Sequence, residues 1–174
     1  DEALTVATVP PFERVEAGQM VATVKIITFA MPGGEVSRAE RLAREAGGLV
    51  RVVSLQKKTA GLVLTRMPST KANVLDKRKQ AIAHRLEALG STLGPVETVA
   101  HETAAVRAAI LRMRELGADP IILFAASAIV DRGDVIPAAL EEAGGRIIRL
   151  GMPVDPGNLM LLGALGRTDV IGAP

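Results

Sequence analysis

The chain has 174 residues, with 21 Lys and Arg against 19 Asp and Glu, no Cys, Trp or Tyr, and 3 Phe. Apolar residues make up 48% and charged residues 23%, which excludes general disorder and predicts one main domain with an aliphatic core and a small appendage. Lack of Cys excludes disulfides, a thiol nucleophile and thiolate metal sites, and the scarcity of aromatic rings excludes a base-stacking platform for single-stranded nucleic acid.

Residues 1–58 read as a β-rich extension. Leu4–Val9 and Met20–Phe29 alternate as strands, separated by Pro10-Pro11 and Gly18. After Pro32-Gly33-Gly34, Ser37-x-x-Glu40 has the form of a capping box, and Ala39, Leu42, Ala43 and Ala46 share one face of a helix that stops at Gly47-Gly48. Leu49–Leu55 reads as a third strand, and the seam to the next domain falls at Lys57-Lys58-Thr59.

Residues 59–174 alternate strand and helix. Leu62–Leu64 is a buried strand, and Leu75, Ile82, Leu86 and Leu89 form the apolar stripe of a helix ending at Gly90. Val96–Ala100 is a strand, and Val106, Ala109, Ile110 and Met113 mark a second helix that ends at Gly117. Ile121–Phe124 is apolar without a break, as in a strand covered on both faces. Asp134 can cap a third helix, with Pro137 in its first turn and Gly144-Gly145 beyond its end. Short strands at Arg146–Leu150, Leu159–Leu162 and Asp169–Ile171 complete the chain. The pattern predicts a three-layer α/β/α fold with a mostly parallel sheet.

Ligands of such sheets bind beyond the carboxyl ends of the strands, so the informative loops are 65–76, 100–103, 125–134 and 151–158. In the third, small residues (Ala125, Ala126, Ser127, Ala128) lead to Asp131-Arg132-Gly133-Asp134 at a helix start, which is either an anion site or an ordinary cap. His101-Glu102 is either a general base beside a carboxylate or a solvated loop end, and His84 falls on a surface position. Pro153–Asn158 is a rigid turn in which Gly157 allows close approach of a ligand or simply completes the turn. Between Arg51 and Lys79 there are eight basic residues against the single acid Asp76, which reads as an anion-facing edge or a solvated basic face. Neither a phosphate-binding P-loop nor a dinucleotide fingerprint is present.

The net charge of +2 argues against a nucleic-acid partner. The longest apolar run, Pro120–Val130, is far short of the roughly 20 residues of a membrane span. With no signal-peptide pattern, a cytoplasmic location is expected, and the abrupt ends read as those of a piece of a longer protein.

Residues 59–174 resemble the molybdopterin-binding domain family of molybdopterin adenylyltransferases, molybdotransferases and their relatives. The resemblance is carried by Gly61–Leu64 as an opening strand and by Asp76 ahead of Leu86–Gly90. It is carried further by Val99-Ala100-His101-Glu102 at an acidic segment, by Ile121–Ala125 leading to a glycine signature, by Asp134–Leu140, which is close to D-V-T-P-x-A, and by Pro156-Gly157-Asn158 at P-G-K-P. It implies a fold that binds molybdopterin through its phosphate, with Mg²⁺-dependent adenylyl transfer (ATP or AMP as partner) or molybdate insertion in active members, and self-association.

Carried over by position, the resemblance implies Asp134 and Glu102 as catalytic carboxylates, Asp134 also toward Mg²⁺. It implies Ser127, Ala126, Asp76, Asp155, Gly157, Asn158, Arg66 and Lys71 around the pterin phosphate, with Lys57 a further candidate cation. The chain departs from the pattern at Ala125–Ile129, which has no glycine, at His101 in place of an acid and at Asn158 in place of a lysine. The front part resembles the extension of a subgroup fused to a nucleotidyltransferase-like domain. Three functions follow: a pterin-binding protein of molybdenum cofactor synthesis or delivery, a non-catalytic oligomerisation module that positions a fused enzyme, or a hydrolase like the nucleotide pyrophosphatases that share the fold.

Overall fold

The computed structural model describes residues 3–174 and divides into two compact units, Asp1–Ser54 and Leu55–Pro174. The division falls at 54/55, ahead of the 58/59 seam read from the sequence.

In the first unit, β1 (Leu4–Thr8) pairs antiparallel with β2 (Ala22–Ile26), Leu4 opposite Ile26 and Thr8 opposite Ala22. Helix α1 (Gly33–Glu45) begins directly after Pro32, whose carbonyl receives the Glu35 N–H. Ser37 and Glu40 therefore lie inside the helix, and the expected capping box caps nothing: Pro32 starts the helix a full turn earlier than Ser37 would. Gly47 and Gly48, at φ 77° and 96°, stop it through bonds from their N–H groups to the Arg44 and Ala43 carbonyls. The expected strand Leu49–Leu55 does not form and 49–58 is irregular, because β-propensity without a partner strand does not make a ladder. None of this unit's described residues is buried.

The second unit is built on a six-stranded mixed sheet in the order β4-β3-β5-β8-β7-β6. β4 (Thr92–Ala100), β3 (Thr59–Arg66), β5 (Ile121–Phe124) and β8 (Thr168–Ala173) are parallel neighbours, whereas β7 (Leu161–Leu165) runs antiparallel to both β8 and β6 (Arg146–Leu150). Alternate β3 side chains reach opposite faces. Val63 joins a core with α3 (Thr103–Glu115) and α4 (Val135–Glu142), while Leu62 and Leu64 pack with Ile82 and Leu86 of α2 (Ala72–Ala88). This gives three layers, and it explains why β3 and β5 read as continuous apolar runs.

The α3 stripe Val106, Ala109, Ile110 and Met113 is wholly buried, whereas Leu89 lies beyond α2 and is exposed. Gly61 lets α3 approach the sheet, since a Cβ there would sit 2.8 Å from Ala118 Cβ and 3.0 Å from Met113 Sδ. Among the described residues no helix is long and apolar enough to cross a membrane.

β6 is antiparallel to β7, as is β8, so β3, β4, β5, β6 and β8 all end at one edge of the sheet. At the opposite edge Lys58 Nζ lies 2.7 Å from Asp119 Oδ2 and 3.5 Å from Asp169 Oδ2, tying the starts of β3, β5 and β8 together.

Candidate functional site

The strand order sets β3 between β4 and β5, so Thr65 near the end of β3 lies between the loops that leave its neighbours. Thr65 is 0% exposed. Its Oγ1 accepts the Ala126 N–H at 2.7 Å, lies 2.9 Å from His101 Nδ1 and donates toward the Phe124 carbonyl at 3.3 Å. On the other side of the ring, His101 Nε2 is 2.8 Å from Ser127 Oγ.

One proton arrangement satisfies every contact. Nδ1–H donates to Thr65, the Thr65 hydroxyl donates to Phe124 O, and Nε2 is left as the acceptor of the Ser127 hydroxyl proton. The other tautomer uses the single Thr65 proton on Nδ1 and gives up the Phe124 bond. The result is a hydroxyl–imidazole–hydroxyl chain running from a buried strand end to the exposed Ser127.

The Ala125–Asp134 loop is held from beneath. Ala125 and Ile129 are 1% and 2% exposed and belong to the core. Arg78 on α2 donates to the Ala125 carbonyl at 3.0 Å, and its guanidinium carbon lies 4.4 Å from the centre of the Phe124 ring. The absence of glycine from Ala125–Ile129 brings no backbone strain, since Phe12 is the sole non-glycine residue at positive φ among those described. Within the described chain no backbone hydrogen bond is donated by the N–H of Ser127, Ala128 or Ile129.

Asp134 occupies the N-cap position of α4, but its side chain caps backward. Oδ2 accepts the Val130 N–H at 2.6 Å and the Asp131 N–H at 3.0 Å, and no bond goes forward to the helix. These donors, Asp131 first, hold its carboxyl below the ordinary carboxylate value. Burial lowers the His101 value, partly offset by the Asp134 charge. At neutral pH the site therefore holds a neutral imidazole near a carboxylate.

Arg66 and Glu102 line a cavity of about 300 Å³ together with Met67, Pro68, Ala100 and His101. Glu102 is the exposed N-cap residue of α3 and Lys71 that of α2, while Asp76 is exposed one turn further along α2. Asp155, Gly157 and Asn158 lie in the loop between β6 and β7, on the same edge but across the sheet. β4 and β6 are its two outer strands, five spacings of roughly 4.8 Å apart, so this loop and the His101 loop stand about 24 Å from one another. Gly157, at φ 136°, is needed by the turn itself: a Cβ would lie 2.9 Å from Val154 Cγ2, and its carbonyl receives the Met152 and Met160 N–H groups.

The basic run does not form one edge. Lys57 and Lys58 precede β3, at the far edge from Arg66 and Lys71, and Lys58 is engaged by Asp119 and Asp169. Lys57 is therefore not among the cations beside the His101 loop. Among the described residues no group of three or more His, Cys, Asp or Glu side chains is placed to hold a metal ion, and one Asp134 oxygen is already committed to two backbone donors. These side chains do not make a metal site by themselves.

Thr65 escapes a reading by motif, and His101 pairs with Ser127 rather than with the adjacent Glu102. One signal was available: Leu62-Val63-Leu64-Thr65 ends a buried apolar run on a hydroxyl, and a buried hydroxyl needs partners. Which partners depends on the β4-β3-β5 order.

No family model matches the chain, and no curated protein matches it in sequence. In structure it is similar to a molybdopterin biosynthesis MoeA protein from Pyrococcus horikosii, with a TM-score of 0.51 and 16% identity over 79% of this chain and 35% of that one. It is also similar to a molybdenum cofactor biosynthesis protein B, with a TM-score of 0.51 and 15% identity over 70% of this chain and 83% of that one. The chain thus has the fold of these molybdenum cofactor biosynthesis proteins, and it spans about a third of the length of the first.

Proposed function

We propose that the chain binds a phosphorylated pterin of the molybdopterin type and acts in molybdenum cofactor biosynthesis or delivery. The observation that carries this reading is the Ala125–Asp134 loop, anchored by Arg78 and Thr65 at the carboxyl edge of a sheet whose fold matches two proteins of that pathway. Ser127, Ala126 and the N–H groups of Ser127, Ala128 and Ile129 would face the phosphate, with Arg66 and Lys71 as nearby cations and Asp76 at the mouth. The Asp155–Asn158 turn, on the same edge across the sheet, would meet the far end of an extended ligand.

Among the described residues no group of side chains makes a metal site by itself, so the reading is one of binding and orientation, and no adenylyl or molybdate transfer step through Mg²⁺ is assigned to Asp134 or Glu102. It places a homo-oligomer in the cytoplasm with the pterin as its principal partner.

The test is expression in a host that accumulates molybdopterin, followed by purification, oxidation and measurement of the fluorescent pterin product. Stoichiometric pterin is expected, with loss in Asp134→Ala and Asn158→Ala. Gly157→Val is uninformative because the turn itself requires glycine. A folded protein with no pterin above the host background overturns the reading and favours a non-catalytic assembly module. One observation already favours that second reading: Ile129 fills the core at the end of a segment, Ala125–Ile129, that has no glycine.

A further inference from the structure

We infer that Ser127 is a nucleophile activated by His101 and oriented through Thr65, and that the site hydrolyses short-chain carboxylic esters. Nothing in this inference depends on a pterin ligand. Three observations combine to support it. Ser127 Oγ is exposed and lies 2.8 Å from His101 Nε2, the separation at which an imidazole takes a hydroxyl proton. Buried Thr65 accepts from Nδ1 and, through its own bond to the Phe124 carbonyl, fixes the tautomer that leaves the Nε2 lone pair toward Ser127. The cavity of about 300 Å³ beside His101 has Met67, Pro68 and Ala100 for an acyl chain and Arg66 for an anionic substituent.

The arrangement divides between two residues what the buried aspartate does in a serine hydrolase. Thr65 sets orientation without charge. Asp134, held ionised by the Val130 and Asp131 N–H groups, raises the proton affinity of His101 and so favours the imidazolium formed during attack. Glu102 adds a neighbouring acid, Arg66 opposes it from the same cavity, and Arg78 stays beneath the loop on Ala125.

In the reaction, a bond forms between Ser127 Oγ and the carbonyl carbon while the hydroxyl proton passes to His101 Nε2. The carbonyl electron pair moves to oxygen and returns as the ester C–O bond breaks, and the imidazolium proton goes to the departing alkoxide. Water repeats the sequence on the acyl-serine, with His101 again the base, so that ester and water give acid and alcohol. The N–H groups of Ser127 and Ala128 donate no backbone hydrogen bond and would be the donors, on the nucleophile's own loop, for the oxygen that gains charge.

The experiment uses the purified chain with 4-nitrophenyl acetate as substrate and a fluorophosphonate as covalent probe, read by peptide mass mapping. The expected results are a phosphonyl adduct on Ser127, its absence in Ser127→Ala, and a drop of roughly 100-fold in the rate of His101→Ala. Added imidazole should restore part of the rate in His101→Ala, which a merely structural histidine would not allow. His84→Ala, at an exposed position on α2, should behave as the parent. Thr65→Ser should retain the pH profile, whereas Thr65→Val should shift it, with circular dichroism confirming the fold of each variant. An unmodified Ser127 in the folded chain, or labelling at the parent rate in His101→Ala, overturns the inference.

Discussion

The two edges of the six-stranded sheet both carry a polar cluster, built from opposite chemistry. At the edge where β3, β5 and β8 begin, Lys58 is held by Asp119 and Asp169, an ion cluster whose side chains are 33%, 39% and 66% exposed. At the edge where β3, β4 and β5 end, a wholly buried threonine holds a half-buried imidazole, and a hydroxyl at the surface completes the chain. Charges in water attract weakly and are screened, so the first cluster ties strands together without selecting much else. Neutral groups held out of water must all be paired, so the second fixes a tautomer and a loop position. The difference teaches where to look for chemistry in this molecule: at the cluster whose protons are ordered rather than at the one with more charge.

The largest effect should come from removing the buried hydroxyl. Thr65→Val leaves the Ala126 N–H and His101 Nδ1 each without a partner and removes the hydroxyl's bond to the Phe124 carbonyl, at a cost of about 2–3 kcal/mol in unfolding free energy. Urea denaturation measures it, and Thr65→Ser should recover most of the loss. A Val variant as stable as the parent would break the contrast between the edges.

The opposite edge should respond far less. Asp119→Asn removes the charge facing Lys58 but keeps an oxygen for the Asp169 N–H, so about 0.5–1 kcal/mol is expected, discounted for exposure. Half a molar salt should shrink that difference while leaving the Thr65→Val cost in place. A salt-insensitive Asp119 effect would mean that the ion cluster is better shielded than its exposure implies.

Most of the scaffold was legible in the sequence, because continuous apolar runs and a 3.6-residue stripe report burial directly. The α3 residues Val106, Ala109, Ile110 and Met113 are the clearest case. What failed was decided by neighbours in space. Leu49–Leu55 has strand composition and no partner, and Ser37-x-x-Glu40 has capping form but sits behind a stronger start at Pro32. At the site, Asp134, Ser127 and His101 could each be picked out by their place after a strand. Their connection through Thr65 spans separations of 36 and 61 residues and exists only once β3 lies between β4 and β5.

The edges should also titrate in separate windows. The folded value of His101 is lowered, so between the unfolded value near 6.5 and that lower value the unfolded chain binds more protons, and stability falls as pH drops through this range. Asp119 is likewise lowered, with Lys58 raised as its partner, but its contribution is present above the unfolded carboxylate value near 4 and is lost only on further acidification. Replacing His101 by Gln should flatten the stability curve in the upper window alone. A slope unchanged in that variant would show that another group titrates there.

The smallest change sharpens the comparison most, because it alters charge and almost nothing else. In Asp134→Asn the amide oxygen can still accept the Val130 and Asp131 N–H groups, so the loop should keep its place. The carboxylate charge that favours protonated His101 is gone, and burial then acts unopposed by it. The His101 titration midpoint, followed through its ring proton resonances, should therefore move further below the ordinary imidazole value, while the unfolding free energy hardly changes. A midpoint that rises instead would mean that Asp134 reaches His101 by placing the loop rather than through its field. The charged-against-neutral distinction between the two edges would then fail at the residue meant to supply charge to the neutral one.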